Sequence, residues 1–293
     1  MDIRPEGSSD AVLREDTLCT RPEINPEKVA RTDGLDLLRF TLPVGETQVS
    51  HDAIFEVPFR LDHDGATDLP AIAPEALPGD VIDYVRPSRF CESDRLADFA
   101  WRQFGNVPTG WEQVKTVCTW VHEHVEYRFG AGRSDLTACN IFEQRYGVCR
   151  DFAHLTIALC RALNVPARYA SGHLPDIGYD DPGSPMDFHA YTEVYLGGRW
   201  VPVDARYNVS RFGRVRVCHG LDAGDCAFLT SFGTVNLNQF QVWAYQIENG
   251  TGSTKTPVDL TQRLDGQTKV FHRLADRPPV PTPRDTPANH VAA

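Results

Sequence analysis

Lysine is nearly absent: Lys28, Lys115, Lys255 and Lys269 are the four side-chain amines in 293 residues. Bases as a whole are outnumbered, 29 Lys and Arg against 40 Asp and Glu, for a formal charge of −11. That sign excludes general nucleic-acid binding and attachment to an anionic membrane surface, both of which need a basic excess. No apolar run approaches the ~18 residues needed to cross a bilayer. The start, MDIRPEGSSD, has neither a basic region nor an apolar core, so no secretory signal is predicted and a cytoplasmic location is expected. The cysteines at 19, 91, 118, 139, 149, 160, 218 and 226 include no C-x-x-C pair, so a zinc ribbon or a thioredoxin-like redox motif has no support. An even number would permit disulfides, but in a chain of this length with no signal, reduced thiols are the better expectation. Cys118 and His122 are spaced one helical turn apart, with His124 nearby. A metal would need a further ligand that the sequence does not offer, and an amphipathic helix explains the spacing. Neither metal nor cofactor is expected.

What is present is an ordinary globular composition, with 41% hydrophobic and 24% charged residues. A chain of this length can bury roughly 75% of its unfolded surface. Residues 1–30 are polar and read as a poorly ordered leader. A β-rich region is expected over 31–76, on the alternation between Gly34 and Val57. It ends in a connector, Asp68 to Asp80, punctuated by Pro70, Pro74, Pro78 and Gly79. A main domain follows over 77–248. Residues 249–293 form a Pro-rich tail, in which Leu260, Leu264, Phe271 and Leu274 are the large apolar exceptions. Ser93 is the expected N-cap of a helix with Leu96, Phe99, Ala100 and Phe104 on one face. Thr109 and Glu112 have capping-box spacing ahead of a second helix, whose stripe is Val114, Cys118, Val121 and Val125. The glycines between Phe129 and Arg133 are not followed by Gly-Lys-Ser/Thr, so they read as a turn and not a phosphate loop.

The chemistry concentrates between Thr137 and Asn208. TACNIFEQRYGVC predicts a short helix stopping near Gly147, which suits a left-handed C-terminal position. CRDFAHLTIALCRALN then predicts a helix with Phe152, Leu155, Leu159 and Leu163 at helical spacing, ending at Asn164 before Val165-Pro166. A strand follows over PARYASGHL. Cys149 therefore sits in the first turn of a helix. Unpaired backbone N–H groups and the positive end of the dipole favour thiolate over thiol there. The same groups can donate to an oxyanion on an attached acyl carbon. Cys160, mid-helix, reads as a core filler.

A thiol nucleophile needs a base. HAYTEVYLGGRWVPVDARYN reads as a hairpin turning at Gly197-Gly198. Counting back from a two-residue turn pairs Leu196 with Arg199, Tyr195 with Trp200 and Tyr191 with Asp204. His189 is then diagonal to Asp204 on one face, ~7–8 Å away at the backbone, which the two side chains can bridge. A slip of one residue would destroy the pair. Taken singly, Cys149 can be a buried hydrophobe, His189 an incidental strand residue and Asp204 a turn cap. Taken together they have the types and order of a nucleophile, a base and an orienting acid.

These segments resemble the bacterial transglutaminase-like superfamily, which shares papain-like cysteine chemistry. The resemblance rests on GVCRDFAHL, LCRALNVPARYASGHL, DFHAYTEVYLGGRWVPVDARYN and TSFG, and runs from about Leu77 to Gln246. It implies an α+β fold, with a nucleophile helix packed on an antiparallel sheet and a small β-rich N-terminal region. It implies Cys149 as nucleophile, His189 as general base and Asp204 as orienting acid, over a catalytic domain at 77–248. Relatives add a side-chain oxyanion donor upstream of the nucleophile, for which Tyr127 is the candidate; a packing role for that ring competes. The implied activity is acyl transfer through a covalent Cys149 acyl-enzyme. The donor would be a peptide, an amide or an acyl thioester, and the acceptor water or an amine. The competing reading is an inactive scaffold or binding module, whose mark would be loss of a triad residue. All three are present.

Overall fold

The computed structural model of the protein describes residues 11–30, 36–57, 61–175 and 187–244. The segment after Gly147 forms α4 (Cys149–Ala162), and every residue from Arg150 to Arg161 is buried. The apolar stripe accounts for only part of that burial. α4 is surrounded by α1 (Ser93–Phe104), α2 (Trp111–His124) and α3 (Ala138–Gln144), and by β7 (Ala167–His173) and β8 (His189–Leu196). Burying its polar residues requires partners, and Arg161 shows how they are supplied. Its guanidinium donates to the carbonyls of Ala167 (2.9 Å), Arg86 (3.1 Å) and Leu221 (2.7 Å) and to Ser88 Oγ (3.2 Å). One buried cation thus ties the helix to β7, to the segment just before α1 and to the loop after the last strand.

The sheet against α4 is antiparallel throughout, in the order β10 (Val215–Gly220), β7, β8, β9 (Arg199–Val203). β8 and β9 form the expected hairpin: Leu196 pairs with Arg199 and Tyr195 with Trp200. Gly197 and Gly198 supply the two positive φ angles, 56° and 86°, that such a turn needs. β9 ends at Val203, so Asp204 leaves the ladder just past its end. The architecture is α+β, as the sequence predicts.

Several local expectations are corrected. Within the stretch read as a leader, the described residues 11–30 hold two strands: β1 (Val12–Arg21) pairs with β4 (Gln48–Glu56), and β2 (Glu27–Ala30) with β3 (Asp36–Arg39). Ser93 is the first residue of α1 and not its cap. The preceding Glu92 instead accepts the Cys139 N–H at 3.1 Å, at the start of α3. Thr109 and Glu112 form no capping box; Gly110 is the N-cap, and the Trp111 N–H donates to the Leu69 carbonyl at 3.1 Å. A tertiary contact with the connector replaces the local cap. The capping box lies instead at Thr137 and Asn140 of α3. That helix ends with Arg145 and not Gly147 in the left-handed region (φ 65°), and Gly147 lies in β6 (Tyr146–Gly147), paired in parallel with β5 (Glu126–Tyr127). The expected stripes of α1 and α2 hold, with Leu96, Ala100, Phe104, Val114, Cys118, Val121 and Val125 buried and Phe99 partly buried against the same core. The tail expected over 249–293 lies outside the described residues.

Candidate active site

Cys149 opens α4, where first-turn N–H groups point out along the helix axis. The side chain is half-buried, between the exposed Cys19 and the buried Cys118 and Cys160. Its position is set from both sides. Asp151 Oδ2 accepts the Val148 N–H at 2.9 Å, closing the first turn over the residue before the thiol. Gly147 leaves room for that carboxylate, since a Cβ there would lie 2.6 Å from Asp151 Oδ2. Burial pushes the Asp151 carboxyl up, against the pull of Arg150 and of the Val148 N–H. Arg150 in turn donates to the Arg133 carbonyl, holding the loop that precedes α3.

His189 begins β8, and its Nε2 lies 2.7 Å from Asp204 Oδ2. The Cys149 side chain is the other group that acts on this ring. The diagonal pair predicted from the hairpin register is therefore present, and the helix start brings the thiol to it. Burial works against a charge on His189, but the charge and hydrogen bond of Asp204, joined by Cys149, raise it to about 10. Three other histidines go the opposite way: desolvation lowers the buried His63 to about 4 and His154 to about 3, and the partly buried His173 to about 4. Among these four rings His189 alone is shifted upward, because it alone faces a buried carboxylate at hydrogen-bond distance.

Asp204 is buried, and burial alone would raise its carboxyl. The charges and hydrogen bonds of His189 and Arg214 outweigh this and hold it well below the usual carboxylate range. Its Oδ2 accepts from His189 and from Arg214 Nη2 (2.9 Å), and its Oδ1 from the Arg206 backbone N–H (3.1 Å). Arg214 Nε reaches Asp62 Oδ2 at 2.9 Å, and that oxygen also accepts the Arg211 N–H at 2.9 Å. The guanidinium lies over the Tyr191 ring, 4.6 Å from its centroid. Sequence reasoning missed Arg214 and Asp62. No local signal marks them, because residues far apart in the chain make this buried acid–base–acid row.

Tyr127 pairs with Gly147 across the β5–β6 bridge, two residues before the thiol. Burial, then the proximity of Cys149, pushes its phenol up to about 12, against the opposing charge of Arg206. The Arg206 guanidinium stacks on the Tyr127 ring at 3.7 Å. The residues weighed as metal ligands are otherwise engaged: Cys118 is in the core and His122 Nδ1 lies 3.0 Å from the Ala205 carbonyl.

A half-buried thiol at a helix start, facing an imidazole held by a buried carboxylate on an antiparallel hairpin, defines the papain-like class of cysteine fold. The chain belongs to the transglutaminase-like superfamily. The model of that superfamily matches residues 97–205. A crystal structure of a candidate cysteine protease from Cytophaga hutchinsonii superposes with a TM-score of 0.70 at 30% identity, over 83% of this chain and 86% of that one. An uncharacterized protein of Mycobacterium leprae is 30% identical over 89 residues, 30% of this chain and 32% of its own length. The human kyphoscoliosis peptidase is 30% identical over 105 residues, 34% of this chain and 16% of its own length. The chain therefore spans a third or less of the curated relatives it matches.

Proposed function

We propose that Cys149, His189 and Asp204 form a catalytic triad that transfers an acyl group through a thioester on Cys149. The observation that carries this is the placement of one ring, His189, between a buried carboxylate at 2.7 Å and a thiol at the head of α4. The protonated ring pairs with the Cys149 thiolate, which attacks the carbonyl carbon of the donor. The negative charge that forms on the carbonyl oxygen is met by the Cys149 backbone N–H and the Tyr127 hydroxyl. Because Tyr127 is raised to about 12, it keeps its proton and can donate throughout the neutral range. His189 then gives its proton to the departing amine as the C–N bond breaks. A water or a second amine attacks the thioester, returns a proton to His189 and frees the sulfur. Asp204 fixes the orientation of the ring. Arg214, anchored on Asp62, fixes that of Asp204.

The names of the Cytophaga hutchinsonii protein and the human peptidase favour a peptide or amide donor with water as acceptor. The decisive experiment is intact-mass analysis after incubation with a panel of peptides, amides and acyl thioesters. An adduct of acyl mass that maps to Cys149 and is absent from Cys149→Ala is expected. An adduct on another residue, or none from any donor, would return the chain to the scaffold reading.

A further inference from the structure

We propose that Arg206 is the anchor for a carboxylate on the substrate, held beside Cys149 on a platform of two tyrosines. The proposal rests on the acyl-transfer reading and adds the chemical class of the substrate. Arg206 is fixed at its backbone, where its N–H donates to Asp204 Oδ1 at 3.1 Å, so its position is tied to the triad. Its guanidinium lies 3.7 Å from the Tyr127 ring centroid and 4.8 Å from that of Tyr207. Stacking occupies the faces of a planar cation and leaves its N–H edge available for in-plane donation to a carboxylate. The platform borders both reacting side chains. The Tyr127 phenol responds to the charges of both Cys149 and Arg206, and the Tyr207 ring is 5.4 Å from that of His189.

The neighbouring arginines have other duties. Arg214 is buried between Asp62 and Asp204, and Arg211 is buried and donates to the Pro175 carbonyl at 3.3 Å. Arg206 is only half-buried and, among the described residues, forms no ion pair with an acidic side chain. Asp187, which also acts on the Tyr127 phenol, has its Oδ1 occupied by the Phe188 N–H at 2.7 Å. A local cation also answers a problem of the whole molecule. A protein of formal charge −11 repels an anionic substrate, but salt screens that repulsion beyond ~8 Å, and at contact distance a local positive group attracts the anion. The ligand is a peptide or amide carrying a free carboxylate near the bond to be broken.

Iodoacetate and iodoacetamide test this without knowledge of the natural substrate. Both alkylate sulfur by the same step, in which an S–C bond forms and iodide leaves, and they differ in carboxylate against amide. The rate ratio, iodoacetate over iodoacetamide, is measured at Cys149 by peptide mapping and compared with that of free N-acetylcysteine. The wild type is expected to show the higher ratio. Arg206→Gln should lower it by about fivefold, in line with one charge-assisted contact at a half-exposed site. Arg206→Lys, which keeps charge but not the stacked fork, should fall between. His189 also attracts the anion, but it is common to all three proteins. Protection of Cys149 by N-acetyl-diglycine and not by its amide would assign a terminal carboxylate; protection by N-acetylglutamate amide would assign an acidic side chain. An unchanged ratio in Arg206→Gln, or no protection by either compound, overturns the anchor and leaves the triad reading intact. A preserved iodoacetate preference with no acyl adduct from any donor would remove the substrate assignment through failure of the triad reading instead.

Discussion

His189 carries its charge because Asp204 and Cys149 outweigh the cost of burying it. The ring rises from 6.5 to about 10, and Asp204 falls from 3.8. The two shifts act on stability at opposite ends of the pH scale. A histidine raised in the folded state contributes fully below 6.5, and that contribution is lost as pH climbs toward about 10. A lowered aspartate contributes above 3.8 and loses its effect as pH falls below that. The stabilisation from the pair should therefore be greatest between about pH 4 and 6.5 and should decline steadily on the alkaline side. Denaturant midpoints of wild type and His189→Gln, measured from pH 5 to 9.5, should converge as pH rises. Parallel curves would mean that His189 is not charged in the folded protein.

The N-terminus of α4 depends on the absence of one methyl group. Gly147 lies against Asp151, and an added Cβ would meet the Asp151 Cβ at 2.7 Å as well as its carboxylate. The side chain that would have to move is the one that accepts the Val148 N–H. Gly147→Ala should therefore break the cap and shift the thiol away from His189. The expected loss of stability is about 1–3 kcal/mol, the usual range for overpacking or for a lost cap. Acyl-enzyme formation should drop more than ten-fold, because sub-ångström placement of the nucleophile matters more to rate than to folding. Urea denaturation and single-turnover acylation separate the two effects. A variant with normal acylation would show that the helix start tolerates the shift.

Across the whole molecule the thiols divide by depth. Cys91, Cys118, Cys139, Cys160 and Cys218 are buried, and Cys19, Cys149 and Cys226 are not. Burial pushes Cys91, Cys139 and Cys160 up to about 12, so these remain thiols as well as being inaccessible. Brief alkylation of the native protein by iodoacetamide should add no more than the three groups that burial leaves open, with Cys149 among them. The denatured protein should take all eight. Native labelling of Cys118 or Cys160 with Cys149 untouched would contradict both the core packing and the assignment of the nucleophile.

The sequence by itself determined the parts of the site that local geometry sets. Helical spacing after Gly147 placed Cys149 at a helix start, and a two-residue glycine turn set the register that brings His189 to Asp204. Both depend on contacts within one element or across one hairpin, so the pattern of neighbours suffices. The tertiary structure decided what depends on distant partners. α4 proved buried on its polar side too, because carbonyls from three other segments satisfy Arg161. The caps expected at Ser93 and Thr109 gave way to contacts with α3 and the connector. The stretch read as a leader became β1, whose side chains are mostly exposed, so no apolar face announced a strand whose partner, β4, begins far along the chain. The Asp62–Arg214–Asp204 row had no signature for the same reason. A buried ion pair is set by where the backbone carries its members, and that is a property of the folded chain.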